Sequence, residues 1–145
     1  MENLGELLKK EGYKRVSFKI SKTQHLLIKA RINGVVGDFI LDTGASNSCV
    51  DFKAIDFFGL IAKDSDTKAS GAGATGMFTQ VTYNNELKMG RWKTNAFNFV
   101  LLDLSHVNEA LVQYKAKTVH GIIGADVLLK GEAIIDYKNK TLFVK

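Results

Sequence analysis

The dipeptide Asn33-Gly34 lies between two runs of β-branched and other apolar residues, 26–32 and 35–41. Each run has the length of a typical strand. Asn-Gly tolerates the positive φ angles of a two-residue hairpin turn, whose twist matches that of the flanking strands. The sequence therefore predicts an antiparallel hairpin over residues 26–41, and the rest of the fold has to be built around it.

Most of the remaining chain consists of short apolar segments separated by turn residues. Further strands are predicted in a segment that begins at Val16 and at residues 77–83, 87–92, 97–104, 119–124, 133–137 and 141–144. Candidate helices, with Asp51 and Ser105 as caps, lie at residues 3–11, 51–59, 105–114 and 125–130. This pattern favours a mostly-β, barrel-like fold with two or three short helices. Residues 133–137 and 141–144 are predicted to form a hairpin turned by residues 138–140, and its last strand is expected to be a terminal edge that needs a partner.

The net charge of +5 at pH 7 is confined to the first quarter of the chain. Residues 1–37 contain eight Lys and Arg against three Glu, whereas residues 38–145 contain twelve basic and twelve acidic side chains. The basic residues alternate with apolar ones, as in Lys19-Ile20 and Arg31-Ile32, which is typical of a strand with one solvated face. A basic surface of this kind attracts anionic molecules but does not select one of them. We therefore expect no nucleic-acid partner.

Length, cysteine content and hydropathy bound the class of protein. The 145 residues fit one domain. The single cysteine, Cys49, permits no disulfide within the chain and no cysteine-based metal cage, and its apolar neighbours predict a small core residue. No apolar run approaches the roughly 18 residues of a membrane span, and the first residues lack the apolar stretch of a signal peptide. We therefore expect a soluble, cytoplasmic protein without a membrane partner.

An aspartate ends the second strand of the predicted hairpin. In Phe39-Ile-Leu-Asp42-Thr-Gly-Ala-Ser46 a run of large apolar residues stops at a carboxylate, and the chain then turns at once. Such a carboxylate is unfavourable unless it is hydrogen-bonded or paired. Gly44 leaves room for backbone amides near it, and the Thr43 hydroxyl can brace the loop. Taken alone, the segment is better explained by an Asp that forms a turn with its own backbone.

A second segment near the C-terminus repeats the theme of apolar strand, glycine and short helix, and we expect it to pack against the Asp42 loop. It reads Val119-His-Gly-Ile-Ile-Gly124-Ala-Asp-Val-Leu, and the glycine-rich Gly71-Ala-Gly-Ala-Thr-Gly76 lies between the two segments. In this order and spacing the three segments resemble the retropepsin-like aspartic proteases, most closely the bacterial members with Asp-Thr-Gly-Ala-Ser. The resemblance covers residues 24–145 and implies one acid-protease β-barrel domain. A basic N-terminal helix and lead-in strand would precede it at residues 1–23.

The resemblance implies that Asp42 is catalytic and that Thr43 and Gly44 hold its loop. One such Asp per chain is half of what the chemistry requires. Peptide hydrolysis by carboxylates needs one ionised group to take a proton from water and one protonated group to hydrogen-bond the scissile carbonyl. The sequence therefore predicts a homodimer with both Asp42 residues at its two-fold axis and the terminal strands buried in one interfacial sheet. The predicted substrate is a peptide or protein, and the mechanism requires no cofactor and no metal.

The resemblance also implies a substrate-binding surface. Ala45 and Ser46 would form its floor, and residues 71–76 would form a flap hairpin that closes over the substrate. The tip of this flap would consist of Gly73, Ala74 and Thr75. After Gly124 the chain departs from the retroviral pattern, in which an Arg pairs with acids near the subunit boundary, because Ala125-Asp126 follows instead. The sequence does not predict how the dimer is braced.

Two other motifs match in part. Residues 71–76 satisfy the dinucleotide fingerprint G-x-G-x-x-G, but no apolar strand precedes them and no helical pattern follows. The segment Gly44-Ala-Ser46-Asn-Ser48 lacks the last glycine of the G-x-S-x-G nucleophile elbow, and both serines are better explained as loop hydroxyls that satisfy turn amides. The histidines have no metal-ligand spacing. The remaining alternative is a non-catalytic peptide-binding or dimerisation module with the same fold.

Overall fold

Short strands dominate the computed structural model, which describes residues 3–65 and 78–145. Within these ranges the strands are β1 (Lys14–Ile20), β2 (Leu26–Ile32), β3 (Val35–Leu41), β4 (Cys49–Asp51), β5 (Lys63–Asp64), β6 (Gln80–Met89), β7 (Trp92–Leu102), β8 (Gly121–Ile123), β9 (Ile134–Asp136) and β10 (Thr141–Val144). The α-helices are α1 (Leu4–Lys10), α2 (Ile55–Phe58), α3 (Ser105–Gln113) and α4 (Ala125–Lys130), and a 3-10 turn at Phe52–Ala54 leads into α2. The described residues thus contain four α-helices, one in each of the four predicted helical segments.

β2 and β3 form the hairpin predicted around Asn33-Gly34, with the predicted bounds. The φ angles of Asn33 and Gly34 are +52° and +85°, the left-handed values that this turn requires. The turn is also tied to β6, because the Glu86 N–H donates to Asn33 Oδ1 at 3.0 Å and the Asn33 N–H donates to the Glu86 carbonyl at 2.9 Å. The hairpin is therefore fixed by a third strand as well as by its own turn.

Six strands close into a barrel of mixed direction, in the order β2-β3-β8-β4-β7-β6 and back to β2. The β3–β8 and β4–β7 pairs are parallel, and the other four pairs are antiparallel. The β2–β6 pair closes the barrel, with Arg31 opposite Lys88 and Ile32 opposite Leu87. Fully buried side chains fill the interior, among them Ile32, Phe39, Val50, Leu87, Phe99, Leu101 and Ile123. The prediction of a mostly-β barrel is confirmed.

The last strand is an internal strand of the outer sheet. β2 pairs with β1 outside the barrel, and the sheet continues through β10 to β9. The predicted hairpin of residues 133–144 is therefore confirmed, whereas the prediction that its last strand is a terminal edge is wrong. The turn at residues 137–140, closed by a 3.3 Å bond from the Lys140 N–H to the Tyr137 carbonyl, folds β10 back between β9 and β1. Among the described strands, β9 is the one at this end of the sheet.

β6 is one continuous strand where two separate segments were predicted. Its register with β7 shifts between Thr82 and Leu87, and Asn84 has a positive φ of +60°. Asn85 is buried in this irregular stretch, where its side-chain amide donates to the Phe97 carbonyl and to Thr82 Oγ1, both at 3.3 Å. The Asn84-Asn85 pair lies between the two predicted segments. Because these bonds satisfy the buried Asn85 side chain, the strand continues through the pair.

Two helix ends follow the prediction, and one differs. The Asp51 carboxylate accepts a backbone N–H of the 3-10 turn at 3.3 Å, and Gly59 ends α2 with a left-handed φ of +65°. Ser105 is the first residue of α3 and not its cap, so that prediction is wrong. Its N–H donates to Asp103 Oδ1 at 2.8 Å, because the turn before the helix brings this carboxylate back to the helix start. None of the helices in the described ranges is long and apolar enough to span a membrane.

Candidate active site

Asp42 directly follows β3, where β3 and β8 end side by side in parallel. Leu41 is opposite Ile123 in this pair, and the Asp42 N–H donates to the Ile123 carbonyl at 2.9 Å. Asp42 is half-buried, and its Oδ1 accepts the Gly44 N–H at 2.8 Å. A Cβ at position 44 would lie 3.2 Å from this oxygen, so glycine allows the close approach of the amide. A backbone amide therefore holds the carboxylate at the barrel end.

The Asp42 loop rests on Gly124. The Ala125 N–H donates to the Ala45 carbonyl at 2.7 Å. A Cβ at position 124 would lie 2.5 Å from the Ala45 carbonyl oxygen and 3.2 Å from the Asn47 carbonyl carbon. The φ of Gly124 is −109°, which any residue adopts, so the contact and not the backbone conformation requires glycine. The two segments that the sequence predicted to pack together are in direct contact.

Ser48 and Asp126 connect this loop to α4. Ser48 is fully buried, and its N–H donates to both Asp126 carboxylate oxygens at 3.0 Å. Its hydroxyl donates to Asp126 Oδ1 at 2.7 Å and accepts the Gly124 N–H at 2.8 Å. Asp126 Oδ1 also accepts the Val127 N–H at 2.8 Å, at the start of the helix. One carboxylate and one hydroxyl thus fix the loop and the helix relative to each other.

This brace was not predicted. The sequence suggested a loop hydroxyl for Ser48, and its amide partner proves to be Gly124, which lies 76 positions further along the chain. The available signal was a polar residue directly before the apolar pair Cys49-Val50. Thr43 was expected to brace the loop, but it is exposed, and its hydroxyl makes no hydrogen bond within the described residues. Ser48 supplies the bracing hydroxyl in this chain.

The predicted substrate-binding residues fall in two places. Ala45 is half-buried and Ser46 is exposed, and both lie in the Asp42 loop. The predicted flap and its tip, Gly73, Ala74 and Thr75, lie outside the described residues. The strands on either side of that segment, β5 and β6, pair antiparallel, with Lys63 opposite Val81.

An aliphatic cluster borders the carboxylate. Ile40 lies two residues before Asp42 and therefore points to the same face of the sheet. Ile40 is opposite Ile122 in the β3–β8 pair, and Ile122 is opposite Cys49 in the β8–β4 pair. Helix α3 and its flanking segments cover this cluster with Leu104, Leu111 and Val119. Burial raises the pKa of the Cys49 thiol to about 12, so the thiol is neutral at pH 7. The prediction that Cys49 is a core residue is confirmed.

Asp38 in β3 and His120, directly before β8, hydrogen-bond to each other at the end of this strand pair that is further from Asp42. The His120 N–H donates to the Asp38 carbonyl at 2.7 Å, and the Asp38 N–H donates to His120 Nδ1 at 3.0 Å. Burial by itself would raise the pKa of the Asp38 carboxyl, but hydrogen bonds from the Lys29 and Lys117 ammonium groups outweigh it and hold this pKa below its usual value. The His120 ring stacks on Phe57 with 4.8 Å between centroids.

In the described ranges no three His, Cys, Asp or Glu side chains form a metal-binding group.

A family model described as aspartyl protease matches residues 28–127. This match spans more than half of the chain and includes both the Asp42 loop and the Gly124 segment. The chain therefore belongs to this aspartyl protease family. No curated protein matches the sequence at a significant level.

Solved structures show the same fold. A retropepsin-like aspartic protease from Rickettsia conorii superposes with a TM-score of 0.60 at 16% identity, over 92% of this chain and 89% of that one. The retroviral protease-like domain of Ddi1 from Leishmania major gives 0.57 at 18% identity, over 83% and 88%. EIAV protease, complexed with the inhibitor HBY-793, gives 0.56 at 18% identity, over 77% and 92%. The retropepsin-like fold implied by the sequence is confirmed.

Proposed function

We propose that this protein is an aspartic endopeptidase and that Asp42 is its catalytic residue. The position of the Asp42 carboxylate carries the proposal. It is half-buried at the end of the barrel, and Oδ1 is held by the Gly44 amide at 2.8 Å. Within the described residues no Lys or Arg pairs with it, and Oδ2 makes no hydrogen bond. One oxygen is thus held in place while the other is left for water or a second carboxylate.

The proposed chemistry requires two Asp42 carboxylates. Two carboxylates about 3 Å apart share one proton and titrate as a pair, because both cannot easily be ionised. The ionised Asp42 takes a proton from water, and the water oxygen attacks the scissile carbonyl carbon to give a gem-diol. The protonated Asp42 hydrogen-bonds the carbonyl oxygen, and a carboxyl then protonates the leaving amine as the C–N bond breaks. A homodimer supplies both groups from one sequence position.

The second copy is proposed to bind along β9. The last strand was the expected contact, but β10 is already paired on both sides. β9 is at the end of the same sheet. In the sequence it is flanked by two exposed apolar residues, Leu129 at 79% exposure and Tyr137 at 63%. β9 also follows α4, which is bonded to the Asp42 loop through Asp126. A contact at β9 would therefore position the two Asp42 loops relative to each other.

A peptide is the proposed substrate, because the chemistry proposed for the two Asp42 carboxylates hydrolyses an amide bond. Ala45 and Ser46 are proposed to contact its backbone, because both lie in the Asp42 loop and neither is fully buried. Thr43, exposed in the same loop, is proposed to hold the loop against the second copy. The proposal that Gly73, Ala74 and Thr75 close over the substrate rests on the sequence.

Replacing Asp42 by Asn tests the proposal. Asn has nearly the same shape but cannot act as acid or base, so we expect cleavage of a fluorogenic peptide mixture to fall by about 10²–10⁴-fold. The thermal transition and the oligomeric state should stay unchanged. Asp56→Asn, which removes an exposed carboxylate elsewhere, is the matched control and should cleave normally.

Three outcomes are distinguishable in this experiment. Loss of cleavage in Asp42→Asn alone supports the proposal. Full cleavage in Asp42→Asn would overturn the mechanism. A folded wild-type dimer that binds peptides without cleaving any of them would instead identify a non-catalytic peptide-binding module.

A further inference from the structure

A cationic cleft lies between α1, the start of β1 and the β6–β7 turn. The cavity has a volume of about 560 Å³. The residues that line it include one acidic residue, Glu6, and four basic residues, Lys9, Lys14, Arg15 and Arg91. These residues come from three separate elements, so the fold and not a local run of charge brings them together.

The cationic cleft is at the opposite end of the barrel from Asp42. Along β2, Leu26 is opposite Leu41, the residue before Asp42. The other end of β2, at Arg31, is opposite Lys88, just before the β6–β7 turn that carries Arg91. At about 3.3 Å per residue, the length of β2 separates the two places by roughly 20 Å. A ligand in the cleft therefore does not occupy the candidate active site.

Among the described residues, the basic residues of the cleft form no ion pair. Elsewhere Lys29, Lys93 and Lys117 each form an ion pair with a carboxylate, whereas none of the four cleft cations does so within residues 3–65 and 78–145. With Glu6 as the one acid, the cleft carries a net charge of +3. Like charges held together repel one another, and an anion in the cleft relieves that repulsion.

The cleft walls are held in place by other contacts. The Arg15 guanidinium lies 5.9 Å from the centre of the Phe143 ring and packs against Gly5. The Tyr13 hydroxyl donates to the Glu132 carbonyl at 2.9 Å. At the margin, the Lys145 ammonium lies 5.7 Å from the centre of the Tyr13 ring. These contacts order Arg15 and Tyr13 before a ligand binds, and ordered side chains lose little conformational freedom on binding.

We infer that the cationic cleft binds a compact anion that carries two or more phosphate groups. Its volume is that of a site for a small molecule. Arginine matches phosphate geometry with paired donors and lysine adds a point charge, and the residues that line the cleft include two of each. An extended acidic peptide spreads its charge over about 3.3 Å per residue and would place little of it inside one cleft. A nucleic acid needs a longer basic track than this cavity provides.

Inorganic tripolyphosphate is the probe, titrated into the full chain by isothermal calorimetry at two salt concentrations. We expect saturable binding at one site per chain that weakens as salt rises. The double variant Lys14→Gln, Arg91→Gln removes two exposed cleft cations and should bind at least about tenfold more weakly. The matched control, Lys22→Gln with Lys53→Gln, removes two exposed cations outside the cleft and should stay within about twofold of wild type.

Each other outcome overturns the inference. Absence of binding at millimolar tripolyphosphate removes the site. Equal weakening in the control variant assigns the binding to overall positive charge. Tighter binding of a single-stranded oligonucleotide or a glutamate-rich peptide, with the same loss in the cleft variant, assigns the cleft to those macromolecules. Thermal unfolding of both variants checks that they are folded, so a loss of binding is a loss at the cleft.

Discussion

Gly124 has no room for a side chain where the Asp42 loop crosses it. Gly124→Ala would place a Cβ 2.5 Å from the Ala45 carbonyl oxygen, so the loop must shift. Because the backbone conformation at this position suits alanine, the effect isolates that contact. We expect the free energy of unfolding to fall by about 1–3 kcal/mol, measured by urea denaturation. Peptide cleavage should fall as well, because the displaced loop carries Asp42.

Ser46→Ala is the control for this substitution. It changes an exposed side chain of the same loop, and its stability should stay within about 0.5 kcal/mol of wild type. A Gly124→Ala variant as stable as Ser46→Ala would show that the loop does not depend on close contact with residue 124.

Asp38 makes the stability of the barrel sensitive to acid. Its pKa is lowered in the folded state, so its ion pairs with Lys29 and Lys117 stabilise the fold above the unfolded pKa of about 3.9. That contribution is lost as the pH falls through the lower folded pKa. Asp38→Asn should therefore reduce the free energy of unfolding at pH 7, by less than about 1 kcal/mol because both lysines are exposed.

Urea denaturation at pH 7 and pH 3 measures this difference. The gap between wild type and Asp38→Asn should shrink at pH 3, because pH 3 lies below the unfolded pKa of about 3.9 and the contribution of the ion pairs falls below that pH. Asp56→Asn controls for the loss of an exposed carboxylate without an ion pair among the described residues. A gap that grows at pH 3 would show that the ion pairs do not stabilise the fold.

Residue patterns identified part of the site because part of it is local. Asp42 and Gly44 are neighbours in sequence, and the two repeated glycine segments indicated that Gly124 would meet them. The Ser48–Asp126 bonds join positions 78 apart, and nothing in the sequence indicates that these two residues are partners. Such a pair becomes visible only when β3 and β8 lie side by side, since that pairing brings the two segments together.

At the scale of elements, β9 is where a second copy is proposed to bind. Ile134→Lys places a charge on this edge strand, and charged side chains discourage strands from pairing across an edge. We expect sedimentation velocity to show a shift from dimer to monomer, and cleavage per chain to fall with it. Wild-type activity per chain should likewise fall on dilution below the dimer dissociation constant.

Val112→Lys is the matched control for the β9 variant. It adds the same charge at a side chain that is 59% exposed on α3, and it should leave the dimer intact. If Ile134→Lys remains a dimer and cleaves normally, the second copy binds elsewhere. If the wild type cleaves peptides as a monomer at high concentration, the half-site argument itself is wrong.

Elements defined by local signals were predicted well, and elements defined by distant partners were not. The β2–β3 hairpin has its predicted bounds because the Asn33-Gly34 turn fixes its register. β10 was misplaced because its partner β1 lies more than 120 residues away, and nothing in the Thr141–Val144 segment indicates that strand. β6 was divided in two because its irregular stretch has the composition of a turn, although Asn85 is satisfied within the sheet.

On the scale of the whole molecule, the cationic cleft and the Asp42 loop lie at opposite ends of one barrel. The excess charge of the first 37 residues was interpreted as a solvated strand face, and the burial patterns of β1 and β2 confirm that alternation. The sequence did not indicate that Lys14 and Arg15 would meet Arg91 around a cavity, because the β6–β7 turn reaches them only through closure of the barrel.

The brace between Ser48 and Asp126 also sets when the loop can form during protein synthesis. Asp42 leaves the ribosome while about 80 residues are still missing, which at roughly 5–20 residues per second is a delay of several seconds. During that time the loop has neither the Ile123 carbonyl nor the Gly124 surface beneath it. A nascent chain that has not yet reached Asp126 therefore cannot hold the Asp42 loop as the folded protein does.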